Sequence, residues 1–383
     1  MNKLIIYTCS PVNKVYAQKI LLDKLSLKYK LEIWSKFHED HKYYKNSKSY
    51  KFNHANYKYI KNNYDLYSKL NKIKKFNPLF LYIDYNASLD FIFLFLLKCN
   101  NLHFIVPPRR TPFIYKKNYA NRLIKLFNKN FLYLIKILNN LIKFFIFDFF
   151  NKLNLLQRPN IIFTCGLLGS KYWSKYLPNR IVITDSIDFD YERKLSKKKD
   201  NYAVYIDESK LYSPDLALIN KKNYSTVIDQ QKFYKNLRLF FNRIENTYFL
   251  KIIILCSYKY DYKSRKIFGN RSLHYGKTNE LIKGSKFVIC HQSSGYWQAI
   301  YEKKYIIFLT DNNLKKYNQN LRIKYNANLL GSKTIDTNDD IRFINFQINK
   351  KRYDQVLSKY FLSKKKIKYD KVIFDIINKH YQK

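Results

Sequence analysis

The sequence predicts an α/β protein built from two parallel-sheet domains. Short apolar runs alternate with segments of helical periodicity, the alternation starts afresh near residue 202, and 383 residues are enough for two cores. Hydrophobic residues make up 46% of the chain, so it can bury a core despite its many lysines. With only 7 Gly and 8 Pro there is little room for linkers, and no internal repeat is visible.

The expected elements follow in order. Residues 4–7 read as a first strand, 15–29 as a helix with apolar residues at helical spacing, and 31–34 as a second strand. Residues 38–76 are polar, rich in Tyr and Lys, and show no usable period. A strand at 79–83 ending in Asp84, a buried helix at 89–97 and a strand at 103–106 come next, and strands at 161–165 and 181–184 complete the first half. The second half opens with a strand at 202–206 and a helix at 231–246 whose apolar face is Phe233, Leu237, Phe240, Phe241 and Ile244. Then come a strand at 251–255, a short helix ending at 281–283, a strand at 287–290, a helix at 293–301 and a strand at 305–309. Helices at 351–361 and 369–380 close the chain. The expected domains are 1–199 and 200–345, with C-terminal helices at 346–383 and the boundary at the charged run 197–200.

Residues 119–156 stand apart. Lys129, Lys136, Asn140 and Lys143 fall near one helical face, while Leu, Ile, Phe and Tyr cover a very wide arc around it. Two readings stay open: a helix pair packed on the sheet, or a basic amphipathic element lying in a membrane interface.

The formal charge of +44 suggests a polyanion partner at first sight. Lys, Asn, Tyr, Ile and Phe share AT-rich codons, however, and the chain overuses them together, with its lysines spread along its length. Genome composition accounts for that pattern better than nucleic acid does, and neither zinc-finger spacing nor an RNA-recognition signature is present. A surface so charged is nevertheless drawn to anionic lipid. Cys9, Cys99, Cys165, Cys256 and Cys290 show no Cys-x-x-Cys spacing and read as buried, reduced thiols of a cytosolic protein, with no zinc site. The N-terminal stretch lacks the long apolar core and cleavage site of a signal peptide, and no apolar run reaches the ~18 residues of a spanning helix.

The most informative stretch runs from Thr278 through the apolar strand at 287–290 to His291-Gln-Ser293-Ser294-Gly295, then Gln298-Ala299 and the strand at 305–309. A turn at the carboxyl end of a strand is where open α/β sheets bind ligands, and small hydroxyl residues there suit phosphate. The competing reading is local: Ser293 or Ser294 capping a helix and His291 a satisfied buried ring.

This stretch resembles the nucleotide-binding part of GT-B glycosyltransferases, above all bacterial capsule and lipopolysaccharide enzymes of the sialyl- and Kdo-transferase type. Asp207-Glu208, Pro214-Asp215, Asp261-Tyr262 and Phe268-Gly269-Asn-Arg271 follow in the same order, so the resemblance covers roughly residues 160–310 and is weak over the first third. It implies two Rossmann-like domains facing a central cleft. It also implies transfer of a sugar from a CMP- or UDP-linked donor to a glycan or glycolipid acceptor, in the cytoplasm or at the inner face of the inner membrane. Ser293 and Ser294 would hold the donor phosphate beside His291, with Thr278 at the start of the preceding helix. Where such enzymes carry His-Pro, this chain has Ser257-Tyr258; where many carry Glu-Ala seven residues before Pro, it has Gln298-Ala299 and Tyr305. Gln298 can still bond a ribose and Tyr258 can stack on a base, but the changes open a second reading, a catalytically inactive GT-B protein that binds nucleotide or glycan.

Glycosyl transfer needs a carboxylate to deprotonate the acceptor or to stabilise an oxocarbenium-like transition state. Asp188 and Asp190 match an Asp-Tyr-Asp of similar surface-polysaccharide proteins, although acids here also read as helix caps. Asp188-Phe-Asp190 is formally an Asp-x-Asp metal pattern, but GT-B enzymes generally work without metal, and none is expected. Arg109 and Arg110, after Pro107-Pro108, and Arg271 are candidates for an acidic sugar or phosphate, or else plain surface charges.

Overall fold

The computed structural model describes residues 2–8, 17–18, 20–36, 56–83, 85, 90–109, 142, 145–174, 177, 179–188, 201–208, 229–257, 260–262, 266–312, 319–365 and 367–382. The first half is made of β1 (Lys3–Thr8), α1 (Leu22–Lys28), β2 (Lys30–Ser35), β3 (Tyr57–Tyr59), α2 (Asn63–Ile73), β4 (Leu79–Tyr82), α3 (Phe91–Cys99), β5 (His103–Arg109), β6 (Ile161–Thr164), α4 (Gly166–Ser174) and β7 (Ile181–Ile183). Its strands form one parallel sheet in the order β3-β2-β1-β4-β5-β6-β7. Near-continuous apolar runs such as Leu-Ile-Ile-Tyr in β1 and Leu-Phe-Leu-Tyr in β4 are what a sheet covered on both faces requires. Pro107 and Pro108 cannot donate to the ladder, and the β5–β6 register shifts between Val106 and Arg109.

The second half is made of β8 (Tyr202–Ile206), α5 (Gln230–Tyr248), β9 (Lys251–Cys256), β10 (Leu273–Tyr275), α6 (Thr278–Gly284), β11 (Phe287–Cys290), α7 (Tyr296–Tyr301), β12 (Tyr305–Thr310), α8 (Gln319–Leu330), β13 (Thr334–Asp336), α9 (Lys350–Tyr360) and α10 (Tyr369–Tyr381). Its six parallel strands run β10-β9-β8-β11-β12-β13. Counted along the chain, this is the 3-2-1-4-5-6 order of a doubly wound dinucleotide-binding fold, and the first sheet extends the same order by one strand. The protein is therefore α/β, with two Rossmann-like sheets in a GT-B-like arrangement.

The helices start where polar caps place them: Asn62 accepts from Asp65 N–H, Asp229 from Lys232 N–H and Asn349 from Arg352 N–H. In α5, Phe233, Leu237, Phe240, Phe241 and Ile244 all face the core. The last two helices separate. Tyr353, Val356 and Leu357 of α9 lie in the second sheet's core, whereas Tyr369, Ile373 and Ile377 of α10 pack with Leu4, Ile6, Leu79 and Leu81 under the first. Tyr29 donates to Asn378 Oδ1 at 2.6 Å, and Tyr381 accepts from Leu79 N–H at 3.1 Å while donating to the Lys3 carbonyl.

Three local expectations change. The helix expected at 15–29 is interrupted: Ala17 and Gln18 are helical, Leu21 sits in the left-handed region with φ 63°, and a new helix opens at Leu22. The helix expected from 293 opens at Tyr296, because Ser293 Oγ takes the Gly295 N–H and holds 293–295 as a turn. Cys99, expected to be buried, is exposed at the end of α3, while Cys165, Cys256 and Cys290 are buried thiols.

Candidate functional site

In a 3-2-1-4-5-6 sheet the connections leave to opposite faces at the first and fourth strands, and a crevice opens beyond their carboxyl ends. Here those neighbours are β8 and β11, paired in parallel from Val204–Val288 to Ile206–Cys290. The residues leaving them are Asp207-Glu208 and His291-Gln292-Ser293-Ser294. Topology thus sets the Ser-Ser turn at the one point of this sheet that is built open.

The turn is fitted to β8. A Cβ on Gly295 would lie 3.3 Å from Ile206 Cγ2 and 3.4 Å from Ser293 Oγ, so a bare backbone is what lets the turn close down. Ser293 is half-buried and Ser294 exposed. Gln292 N–H donates to Glu208 Oε1 across the crevice. A carboxylate therefore already holds one of the turn's donors, and an entering phosphate meets the Glu208 charge.

His291 is 1% exposed, with Nδ1 2.7 Å from the Leu309 carbonyl oxygen. A carbonyl only accepts, so Nδ1 carries the proton in this contact. The ring lies between Phe233 and Tyr205, at centroid distances of 5.7 and 6.0 Å. His291 thus forms part of the floor beneath the turn. Tyr205 lies fully buried beside it. Burial, then the nearby Asp207 and Glu208 charges, push its phenol pKa well above the ordinary value, so it stays protonated. Asp207 accepts from Tyr262 OH at 2.5 Å, and buried Asp311, after β12, accepts from Asn236 at 3.2 Å and Thr337 at 3.1 Å. Among the described residues this edge is acidic, within a strongly basic chain.

Gln298, in the first turns of α7, is 5% exposed. Its Nε2 lies 3.4 Å from Glu302 Oε1, which fixes which end of the amide is which, since a carboxylate only accepts. Its Oε1 is buried with no donor among the described residues. An unanswered buried acceptor costs about 1–3 kcal/mol.

The other expected residues divide by position. Ser257 follows β9 on the same carboxyl edge, two strands from β11, or about 10 Å at ordinary strand spacing. Thr278 opens α6 after β10, one strand further out. Tyr258, Asp190 and Arg110 lie outside the described residues. Arg109 ends β5 opposite Thr164, at the carboxyl edge of the first sheet, and its side chain lies outside the description. Asp188 is half-buried, five residues beyond β7 on that same edge.

Arg271 is not at the crevice. It precedes β10, and its guanidinium bonds both Glu245 oxygens, at 3.1 and 2.5 Å, as well as Asn242 at 2.6 Å and the Phe268 carbonyl at 3.0 Å. Glu245 also accepts from Ile252 N–H at the start of β9, which puts the whole group at the amino edge of the sheet. Arg271 ties α5 to the sheet, stacked over Phe241 at 5.2 Å, instead of facing a ligand.

Sequence reasoning missed a group at the carboxyl edge of the first sheet. Lys36, directly after β2, pairs with Asp90 Oδ1 at 2.9 Å, and Tyr82, the last residue of β4, donates to Asp90 Oδ2. Only register brings residues 36, 82 and 90 together. No cluster of three His, Cys, Asp or Glu side chains able to hold a metal occurs among the described residues.

No protein-family model matches the sequence, and no curated protein matches it. Among solved structures, a variant of the wall teichoic acid polymerase TagF aligns with a TM-score of 0.51 at 14% identity, covering 100% of this chain and 89% of that one. A second TagF variant gives 0.51 at 13% identity, with the same coverage. A putative UDP-N-acetylglucosamine 2-epimerase from Listeria monocytogenes aligns at 0.47 and 10% identity, over 100% of this chain and 98% of that one. At such identities the likeness speaks for the fold alone: the chain shares a GT-B-like architecture.

Proposed function

We propose that this protein transfers a sugar from a nucleotide-sugar donor to a glycan acceptor in bacterial surface-polysaccharide synthesis. The observation that carries the reading is the place of the Ser293-Ser294 turn. It stands at the switch point between β8 and β11, with Gln298 carrying an unanswered acceptor one helical turn later. The Ser293 and Ser294 hydroxyls and the backbone N–H groups of the turn would hold the donor phosphates. Gln298 Oε1 would accept from a ribose hydroxyl, and the base would lie toward Ser257 and Tyr258. Asp188 and Asp190, from the first half, are the acids proposed to serve the acceptor. No metal is invoked.

The absence of His at Ser257, and Glu208 standing on the turn, favour a second reading in which the fold binds nucleotide or glycan without turnover. Calorimetry with UDP, CMP and their sugar conjugates tests the first step common to both readings. The Ser293→Ala, Ser294→Ala double variant should bind at least about tenfold more weakly, a loss of ~1.4 kcal/mol. Equal binding by parent and variant would remove the phosphate role. Donor hydrolysis or transfer by the parent would decide between an enzyme and an inactive binder.

A further inference from the structure

A groove of about 540 Å³ runs alongside α5, between that helix and the turn before β10. Its size is that of a small-ligand site, and none of the described crevice residues lines it. Lys235, Arg238 and Asn242 follow one another at helical spacing on one wall, with Gly269, Asn270 and Arg271 on the other. The charges in it do not balance. Glu245 is its one acid among the described residues, and both its oxygens are taken by Arg271. Lys235 and Arg238 stand three residues apart on the same face, where like charges repel. Glu245 lies about 10 Å beyond Arg238 along the helix axis, so it answers neither.

The groove is also held in shape. Arg238 Nη1 donates to the Ile267 carbonyl at 2.9 Å, which fixes the guanidinium and leaves most of its five N–H groups unused among the described residues. Gly269, with φ +73°, sits between the two arginines. A Cβ there would lie 3.4 Å from Arg271 Nη1 and 3.8 Å from Arg238 Cδ, so the bare backbone keeps the space between them open. Asn242 Oδ1 accepts from Arg271 Nη2 at 2.6 Å, which turns its two Nδ2 donors to other partners, and the Asn270 amide can donate and accept. Leu239 is the one apolar residue lining the groove among those described, so neither a base nor an acyl chain finds a matching surface. A codon bias toward lysine accounts for Lys235, but not for a guanidinium held by a carbonyl or for the glycine beside it.

We infer that this groove binds a phosphomonoester of a sugar. Such a phosphate is close to a dianion at neutral pH and matches the two unopposed charges. Arg238 offers its oxygens a fork of N–H groups and Lys235 a point charge. The sugar hydroxyls meet the amides of Asn242 and Asn270. The site does not depend on what the crevice at Ser293-Ser294 binds, so either proposal can fail alone.

The test is calorimetric titration of the full chain with glucose 1-phosphate, glucose 6-phosphate and inorganic phosphate. The parent should bind both esters, and more tightly than inorganic phosphate. Lys235→Glu changes an exposed side chain with no bonded partner among the described residues, so it should fold like the parent and bind the esters at least about tenfold more weakly. Lys235→Arg keeps the charge and should bind like the parent. Arg238→Gln should also lose about tenfold or more. The Ser293→Ala, Ser294→Ala variant should keep the parent's affinity for the esters, and Lys235→Glu should keep its affinity for UDP. Binding of neither ester by the parent, or equal binding by Lys235→Glu, overturns the proposal. Loss of ester binding in the double serine variant does so too, because the ligand would then sit in the crevice. Inorganic phosphate binding as tightly as both esters overturns the sugar, since the amides would then meet nothing.

Discussion

Asp185 accepts two hydrogen bonds from Ser363 on one carboxylate oxygen, at 2.8 Å from the backbone N–H and 2.9 Å from the hydroxyl. Asp185 follows the last strand of the first sheet; Ser363 lies between α9, in the second core, and α10, in the first. Asp185 N–H donates to Ile367 O at 2.8 Å and Ser186 N–H to Phe361 O at 2.9 Å, so the returning chain is fastened on both sides. The Ser363 hydroxyl in turn accepts from Ile367 N–H at 2.9 Å. Asp185→Ala leaves those buried donors unanswered and should lower unfolding stability by about 3 kcal/mol in urea titrations. Ser363→Ala keeps the backbone donor and should cost only ~1 kcal/mol. Equal losses would show that the carboxylate has no special part in this crossing.

Gly166, at the start of α4, lies against the backbone at the end of α9. With φ +67°, a Cβ there would lie 2.4 Å from the Tyr360 carbonyl carbon and 2.6 Å from the Lys359 oxygen, both backbone atoms that cannot swing aside. Gly166→Ala should therefore cost ~3 kcal/mol or more and force α4 and α9 apart. A thermal midpoint equal to the parent's would mean that this approach is not rigid.

Glu208 makes a prediction of opposite sign to most binding-site substitutions. Its carboxylate holds the Gln292 N–H that a phosphate would use, and repels that phosphate. Glu208→Gln should tighten UDP or CMP by roughly three- to tenfold in calorimetry, about 1 kcal/mol. Weaker binding would instead make the carboxylate a direct ligand contact.

Glu32 gives the first sheet a pH dependence. Burial by itself raises its pKa. Lys3 at 2.9 Å, Trp34 Nε1 at 2.9 Å and Lys58 at 3.2 Å outweigh burial and leave the net value below the ordinary one. Its contribution is thus complete above the unfolded carboxyl pKa of ~4.3 and is lost as pH falls through the folded value. Glu32→Gln should be less stable than the parent by about 2 kcal/mol at pH 7, with the two converging in acid. A gap that does not narrow on acidification would mean that the loss comes from packing.

How much of this was readable in advance depended on periodicity. The strand at 287–290 agrees with its expected limits, because four consecutive apolar residues between charged and polar neighbours leave one interpretation. Helix α5 was equally plain from its five apolar anchors. The three-residue strands β3, β10 and β13 are half-buried edge pieces with no alternation to see, and α8 hides Ile323, Ala327 and Leu330 among three asparagines, an arginine and a lysine. Missing β10 also misplaced Arg271, since the residues before a parallel strand belong to the edge opposite the crevice. The Ser293-Ser294 turn could be found because its strand, turn and helix are contiguous. The Lys36–Asp90–Tyr82 group could not, because Lys36 leaves one strand while Tyr82 ends another and Asp90 lies in the crossover after it.

The division of the last two helices bears on how the chain is made. Tyr369, Ile373 and Ile377, which close the core under β1 and β4, are made long after the strands they cover. Domains generally fold in order of emergence, N-terminal first. Here the first sheet, complete at Ile183, must stand with part of one apolar face uncovered until Tyr369 is made, about 190 residues later. The second sheet, with α9 to hand as soon as residue 360 appears, can be finished first. Vectorial synthesis and order of completion therefore run in opposite directions, and the exposed face of the early sheet is the natural point for a chaperone to hold.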